Sequence, residues 1–333
     1  MIGARDVRGA AGDRDLSTLV EEFFRTTFAT DNAVITEAVR RMLSAGGKRL
    51  RPRVTLLAAE ANGADPREHL ALAAYMELIH VGTLIHDDVV DRAEMRRGVN
   101  ATAIDYGNRV SVLAGDYLFA WIFKNVTANY PAPVPHVLSS TLADITDGEV
   151  LQLRALGNLD LRLAEYVEVV VKKTASLFAA SAECGAIMAG AAPLRLKALR
   201  DFGLHFGIAF QMLDDLLDLL ADEAEVGKPV GNDLREHKIT IPLILALESG
   251  GLGLRPALES YFRREPEETD AEAVRDLAAR ILDAGGAQKT QAAIAGYVER
   301  AKLSLTPLGA APARAELALL ADGLTRDSLA RTR

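Results

Sequence analysis

A chain of 333 residues, 49% of them hydrophobic, has ample apolar mass for a large core, and its few aromatics (5%) beside abundant Ala and Leu lean it toward helix. The net charge of −8 argues against a nucleic-acid binder, which needs a basic footprint. A single cysteine, Cys184, excludes an internal disulfide and suits a reducing cytoplasm.

Taken in chain order, residues 1–15 are polar and charged and lack the apolar run of a signal peptide, so they read as a flexible lead to one domain over 16–333. Helical periodicity starts near Leu16 and recurs almost throughout, without sustained two-residue alternation, so no substantial sheet is expected. Breaks fall where Gly and Pro cluster, at 46–52, 62–66, 97–98, 131–135, 157–158, near Pro193, and at 226–233, 249–253 and 285–286. Pro52 suits the first turn of a new helix. The stretch from Thr174 to Leu194, rich in Ala, Gly and Ser and containing Glu183, lacks the ~20 strongly apolar residues of a membrane span and reads as a closely packed buried helix. This spacing predicts an all-α fold, a single-domain bundle of about ten to thirteen helices around a central cavity.

Two segments share one pattern, His86-Asp87-Asp88-Val89-Val90-Asp91 and Leu213-Asp214-Asp215-Leu216-Leu217-Asp218. Residues four apart share a helix face, so Asp87 aligns with Asp91 and Asp214 with Asp218, while Asp88 and Asp215 are turned about 100° aside. Like charges stacked among apolar side chains are costly unless a cation neutralises them. An all-oxygen donor set, with no nearby Cys pair, favours Mg²⁺, or Mn²⁺ as a substitute, over zinc. Mg²⁺ takes one or two carboxylates and fills its shell with water and phosphate, so a polyphosphate substrate is implied.

Basic residues punctuate the same stretch of chain. Lys48, Arg49 and Arg51 sit at a Gly-rich helix start, where backbone N–H groups favour anions. Arg96-Arg97, Lys172-Lys173, Lys228 and Lys238 add separate cations, a pattern that fits two diphosphates, one chelated through metal and one held directly. His80 lies seven residues before Asp87, on nearly the same face, whereas His86 points elsewhere and reads as structural.

The order Gly46-Gly47-Lys48-Arg49-Leu50-Arg51-Pro52, the first acidic segment with Arg96-Arg97-Gly98, Lys173-Thr174, Phe210-Gln211-Met212 with the second acidic segment, Gly227-Lys228-Pro229 and Lys238 resembles the trans-type polyprenyl diphosphate synthases from about Leu43 to Leu245. The resemblance implies a cytoplasmic, homodimeric, Mg²⁺-dependent prenyltransferase that joins isopentenyl diphosphate to an allylic diphosphate by ionisation, condensation and elimination. It implies that Asp87 and Asp91 bind two Mg²⁺ ions, and that Asp214 binds a third with Asp218 acting through water. Lys48, Arg51, His80 and Arg97 then match the isopentenyl diphosphate site, and Arg96, Lys173, Lys228 and Lys238 the allylic diphosphate site. Thr174 and Gln211 match polar groups beside the reacting carbon, where their oxygens would stabilise an allylic cation. The departing diphosphate is a credible base, and the loops around Lys228–Lys238 and Arg96–Gly98 are candidates for excluding water. One departure is His237, where the family often has Gly; a side chain there could alter loop closure.

Gly82 and Thr83, then Ile79 and Met76, precede Asp87 by one to three turns. Gly within a helix costs about 1 kcal/mol relative to Ala, so it often marks a need for room. Short-chain members of the family tend to place a bulky aromatic at one of the two nearest positions. The small pair here implies an open tunnel and a long-chain product, with Phe119, Trp121 and Phe123 as candidates for the floor; alternatively Gly82 only permits close helix packing. A shorter geranylgeranyl or farnesyl product is the runner-up. A terpene cyclase would resemble a different second metal motif, a non-catalytic partner subunit would lack an acidic motif, and a helical scaffold would need neither.

Overall fold

The computed structural model describes residues 16–28, 30–96, 99–220, 231–250, 253–263 and 270–330. The polar lead 1–15 lies outside them, as do Arg97, Gly98 and the segment 221–230 that carries Lys228. The described chain is helical: α1 Leu16–Thr27, α2 Ala33–Ser44, α3 Leu50–Glu60, α4 Leu70–Val90, α5 Thr102–Asn129, α6 Pro133–Ala155, α7 Leu163–Val170, α8 Ser176–Met188 and α9 Pro193–Leu220. There follow α10 Asn232–Arg235, α11 Ile241–Glu248, α12 Leu254–Tyr261, α13 Ala271–Asp283, α14 Gly286–Ser304 and α15 Pro312–Ala330. A π-helical turn, Val171–Ala175, joins α7 to α8 in one rod, and the only described strands are the two-residue pair Met95–Arg96 and Val99–Asn100. Counting that rod once and leaving aside the single turn α10 gives thirteen rods among the described residues.

Local chemistry explains several boundaries. Asn32 caps α2 by accepting from the N–H groups of Val34 and Ile35, and Asp270 caps α13 by accepting from Glu272 N. Pro52 lies in the first turn of α3, where its missing N–H has no intrahelical partner to lose. The buried helix expected over 174–194 is α8; it stops at Met188, and the chain turns at Gly190 with φ 65.

The residues group into two compact units: 1–135 with 184–191, and 136–183 with 192–333. In the first unit α4 is apolar on nearly every side because α1, α2, α3 and α5 all pack on it. Tyr75 of α4 meets Trp121 of α5 edge-on at 5.8 Å, and Trp121 meets Phe28 at 5.2 Å. In the second unit α9 packs against α14, α15 and the π turn. A Cβ at Gly203 would sit 2.4 Å from the Phe178 carbonyl oxygen, and one at Gly207 would sit 2.6 Å from Ala175 Cα, so only hydrogen fits there. From α6, a Cβ at Gly148 would come 2.5 Å from Lys173 N. The π turn is thus gripped by glycines on two helices, which fixes Lys173 and Thr174. No described helix is long and apolar enough to cross a membrane.

Candidate active site

In the first unit the acidic segment ends α4. Asp87 and Asp91 are half-buried, and Asp91 caps the helix with its N–H on Asp87 O at 2.7 Å, so the two aspartates stay one turn apart. Asp88, turned aside as expected, is fully buried and takes Arg96 Nε and a terminal guanidinium nitrogen at 2.7 Å each. Arg96 therefore braces the acidic turn from the short hairpin, a role beyond the diphosphate contact expected of it.

The basic loop before α3 divides its cations by direction. Arg49 adopts a left-handed backbone, φ 46, and turns inward, donating to Glu21 at 2.5 Å, Glu77 at 3.1 Å and Leu43 O at 2.7 Å. That spends its guanidinium on joining α1 and α4 to the loop, and removing one member of such a buried pair costs about 3–5 kcal/mol. Lys48 stays in the loop, and Arg51 is buried in the first turn of α3. His80 is half-buried on α4, its carbonyl accepting from Thr83 Oγ1 at 2.8 Å. His86 is structural: it contacts the Val112 carbonyl at 3.0 Å and lies in a space that a Cβ on Gly115 would close.

The room expected beside Gly82 is filled. The Phe119 ring from α5 occupies it, and a Cβ on Gly82 would come within 2.6 Å of that ring. Met76 is fully buried, Thr83 half-buried, and Trp121 belongs to the aromatic cluster described above. Gly82 thus admits an aromatic side chain from the neighbouring helix.

In the second unit the expected residues sit in several polar groups. Thr174 Oγ1 donates to Gln211 Oε1 at 2.8 Å, Gln211 Nε2 donates to Asp215 Oδ1 at 2.9 Å, and Tyr166 OH donates to Asp215 Oδ2 at 2.6 Å. Lys173 donates to Gln152 at 2.5 Å and pairs with Glu149. Asp218 accepts from the N–H groups of Asn232 at 3.2 Å and Asp233 at 3.0 Å, so it holds the chain that leads to Lys238 as well as facing Asp214 along α9. Lys238 pairs with Glu236, and its N–H donates to Asp233 O at 2.8 Å.

His237 stands in the left-handed region, φ 57, which is where a glycine is at ease. Its ring is held between Phe262 at 4.8 Å and Tyr261 at 5.9 Å, and its carbonyl accepts from Gly157 N at 2.8 Å. The side chain is packed away and fastens the segment carrying Lys238.

The carboxylates of this unit crowd one another. Burial pushes the Asp215 carboxyl up to about 7, against the hydrogen bonds from Tyr166 and Gln211 and with the help of Asp214 and Asp218. Burial also raises Asp218 to about 6, with Asp214 and Glu236 adding to the effect against the bonds from Asp233 and Asn232. Asp233 is pushed well above the usual carboxylate range by burial, then by Asp218 and Asp215. Crowded carboxylates without sulfur or imidazole donors suit a hard divalent cation, which would relieve their repulsion. Among the described residues no three His, Cys, Asp or Glu side chains converge closely enough to hold an ion alone. The donor chemistry thus fits Mg²⁺, with water and phosphate completing the shell.

Residues 32–278 match the polyprenyl synthetase family. The chain belongs to this family. The octaprenyl diphosphate synthase of Escherichia coli (strain K12) is 42% identical over 221 residues, covering 66% of this chain and 68% of that protein. The short chain isoprenyl diphosphate synthase of Methanothermobacter thermautotrophicus is 37% identical over 315 residues, 93% of this chain and 95% of that one. The crystal structure of a polyprenyl synthase from Caulobacter crescentus CB15, complexed with calcium and isoprenyl diphosphate, is similar with a TM-score of 0.88 and 37% identity over 96% of each chain. This polyprenyl synthetase is therefore a prenyltransferase with the all-α isoprenoid synthase fold.

Three residues of those polar groups escaped sequence reasoning. Tyr166 precedes Asp215 by 49 positions, with nothing local to link them. Asp233 and Gln152 look like ordinary surface residues of a turn and a helix. The interrupted helix at Val171–Ala175 had one trace in the sequence, the buried glycines 148 and 207 that make space for it.

Proposed function

We propose that this polyprenyl synthetase condenses isopentenyl diphosphate head-to-tail onto an allylic diphosphate, releasing diphosphate and building a long all-trans polyprenyl chain. The observation that carries the reading is the hydrogen-bonded pair Thr174–Gln211, set at 2.8 Å beside the second acidic motif. Asp87 and Asp91, with Asp214 and indirectly Asp218, would hold up to three Mg²⁺ ions, with Mn²⁺ as a substitute, which would supply the charge neutralisation that makes the allylic diphosphate a leaving group.

The protein's own side chains do the rest. Lys173, Arg96, Lys228 and Lys238 hold the allylic diphosphate, while Lys48, Arg51, His80 and Arg97 hold isopentenyl diphosphate. The allylic C–O bond breaks with its electron pair leaving on the diphosphate. The oxygens of Thr174 and Gln211 face the cation so formed and lower its energy without reorganising. The isopentenyl double bond supplies the electrons of the new C–C bond, and loss of a proton to the departed diphosphate restores a double bond. Enclosure of the site keeps water from capturing the cation. The enzyme works in the cytoplasm as a homodimer; exposed Val112, Leu113 and Tyr117 of α5 offer apolar area that a second copy would cover.

A long product is supported by the similarity to an octaprenyl diphosphate synthase. A shorter product, of geranylgeranyl or farnesyl length, is the reading that Phe119 favours, because its ring stands in the space Gly82 leaves. Mass spectrometry of products from farnesyl diphosphate and excess isopentenyl diphosphate separates them. A ladder of several five-carbon additions is expected from the wild type, and a further lengthening from Phe119→Ala. A wild type that stops after one addition would exclude the long-chain reading.

A further inference from the structure

Asp215 is the buried member of the second acidic motif, and it is turned away from the face shared by Asp214 and Asp218. Its two oxygens are engaged by protein donors, Tyr166 OH at 2.6 Å and Gln211 Nε2 at 2.9 Å. The Gln211 amide presents its nitrogen to Asp215, whose oxygen accepts from it. With its nitrogen on Asp215, Gln211 turns its oxygen to Thr174, whose hydroxyl hydrogen is directed there at 2.8 Å. The Thr174 hydrogen is thereby committed, and its lone pairs are the part of the hydroxyl left to face the surroundings. Every bond in the chain has a determined direction, and the direction begins at Tyr166. Tyr166 is itself buried on α7, two turns before Thr174 in the same rod, so its phenol is placed by the element that places Thr174.

Building on the prenyl-transfer reading, we propose that Tyr166 is a positioning residue that, through Asp215, locks the orientation of Gln211 and Thr174 so that their oxygens are aimed at the allylic cation. The phenol's ionisation is pushed well above its ordinary range, first by burial and then by Asp215, so it remains a donor throughout the working pH range. Without its hydroxyl, Asp215 has one donor fewer, and the Gln211 amide is no longer held to one orientation. Positioned dipoles act on the charge that develops in the transition state, so the loss falls on the chemical step and leaves isopentenyl diphosphate binding alone.

The test is steady-state kinetics at saturating Mg²⁺ with farnesyl and isopentenyl diphosphates, on the wild type, Tyr166→Phe, Gln211→Ala and the double variant, with thermal melts of each. Tyr166→Phe retains the ring and its packing. Expected is a fall in kcat of about tenfold to a hundredfold, the range of one hydrogen bond to a charged group, with KM for isopentenyl diphosphate within about twofold of wild type. In the Gln211→Ala background the same substitution should change kcat no further, because there is no amide left to orient. A Tyr166→Phe enzyme with wild-type kcat, a loss confined to KM, or effects that multiply fully in the double variant would overturn the proposal. A wild type that forms no elongated product would overturn the prenyl-transfer reading, and this one with it.

Discussion

Asp214→Ala is expected to lower kcat by about 10³-fold, on the scale of removing one preorganised electrostatic element from an active site. It should do so without unfolding the protein. Asp214 is exposed, and its charge raises the proton affinity of Asp215, Asp218 and Asp233 nearby. Removing it eases that crowding, so the metal-free thermal midpoint should stay level or rise. Asp87→Ala in the other motif should show the same loss of kcat. Activity falling while stability holds is the signature of carboxylates kept for function and not for folding, and it is read from kcat and a melting curve on one preparation. A variant retaining more than about a tenth of wild-type kcat would remove Asp214 from the machinery.

Gly207→Leu has the second large expected effect, and here stability and activity fail together. The added side chain would start 2.6 Å from Ala175 Cα, a backbone neighbour that cannot rotate away. Overpacking against main chain costs about 3 kcal/mol or more, visible as a lowered urea midpoint with the slope retained. Gly203, Gly207 and Gln211 recur every four residues on one face of α9, so separating α9 from the π turn also breaks the 2.8 Å bond from Thr174 to Gln211. Gly296 in α14 is the matched control. Nothing lies within 4 Å of a Cβ there, and Gly296→Ala should stabilise by about 0.5–1 kcal/mol.

Much of the fold was legible because helix formation is local. Periodicity placed α1 at Leu16, Pro52 marked the start of α3, and Gly-Pro clusters marked most connections. The acidic motifs were legible for the same reason: a four-residue spacing is a statement about one helix face, whatever surrounds it. The basic loop was only partly legible. Lys48, Arg49 and Arg51 have similar charges, and only the left-handed backbone at Arg49 and its partners Glu21 and buried Glu77 reveal that one of the three is structural.

Contacts between distant elements were the least legible. Gly82 signalled room in α4, but what fills the room is a side chain 37 positions later, so the sequence could not separate an open tunnel from a filled notch. Tyr166 carried no signal at all. A lone tyrosine in an amphipathic helix gives no hint of a buried carboxylate 49 residues on, and the function of Asp215 is invisible until that contact is seen.

We propose that both acidic motifs serve one diphosphate through magnesium. Calorimetric binding of an unreactive allylic thiolodiphosphate, with and without Mg²⁺, to the wild type, Asp87→Ala and Asp214→Ala tests it most directly. The account predicts tight binding only by the wild type and only with Mg²⁺. Undiminished Mg²⁺-dependent binding by either variant would contradict it.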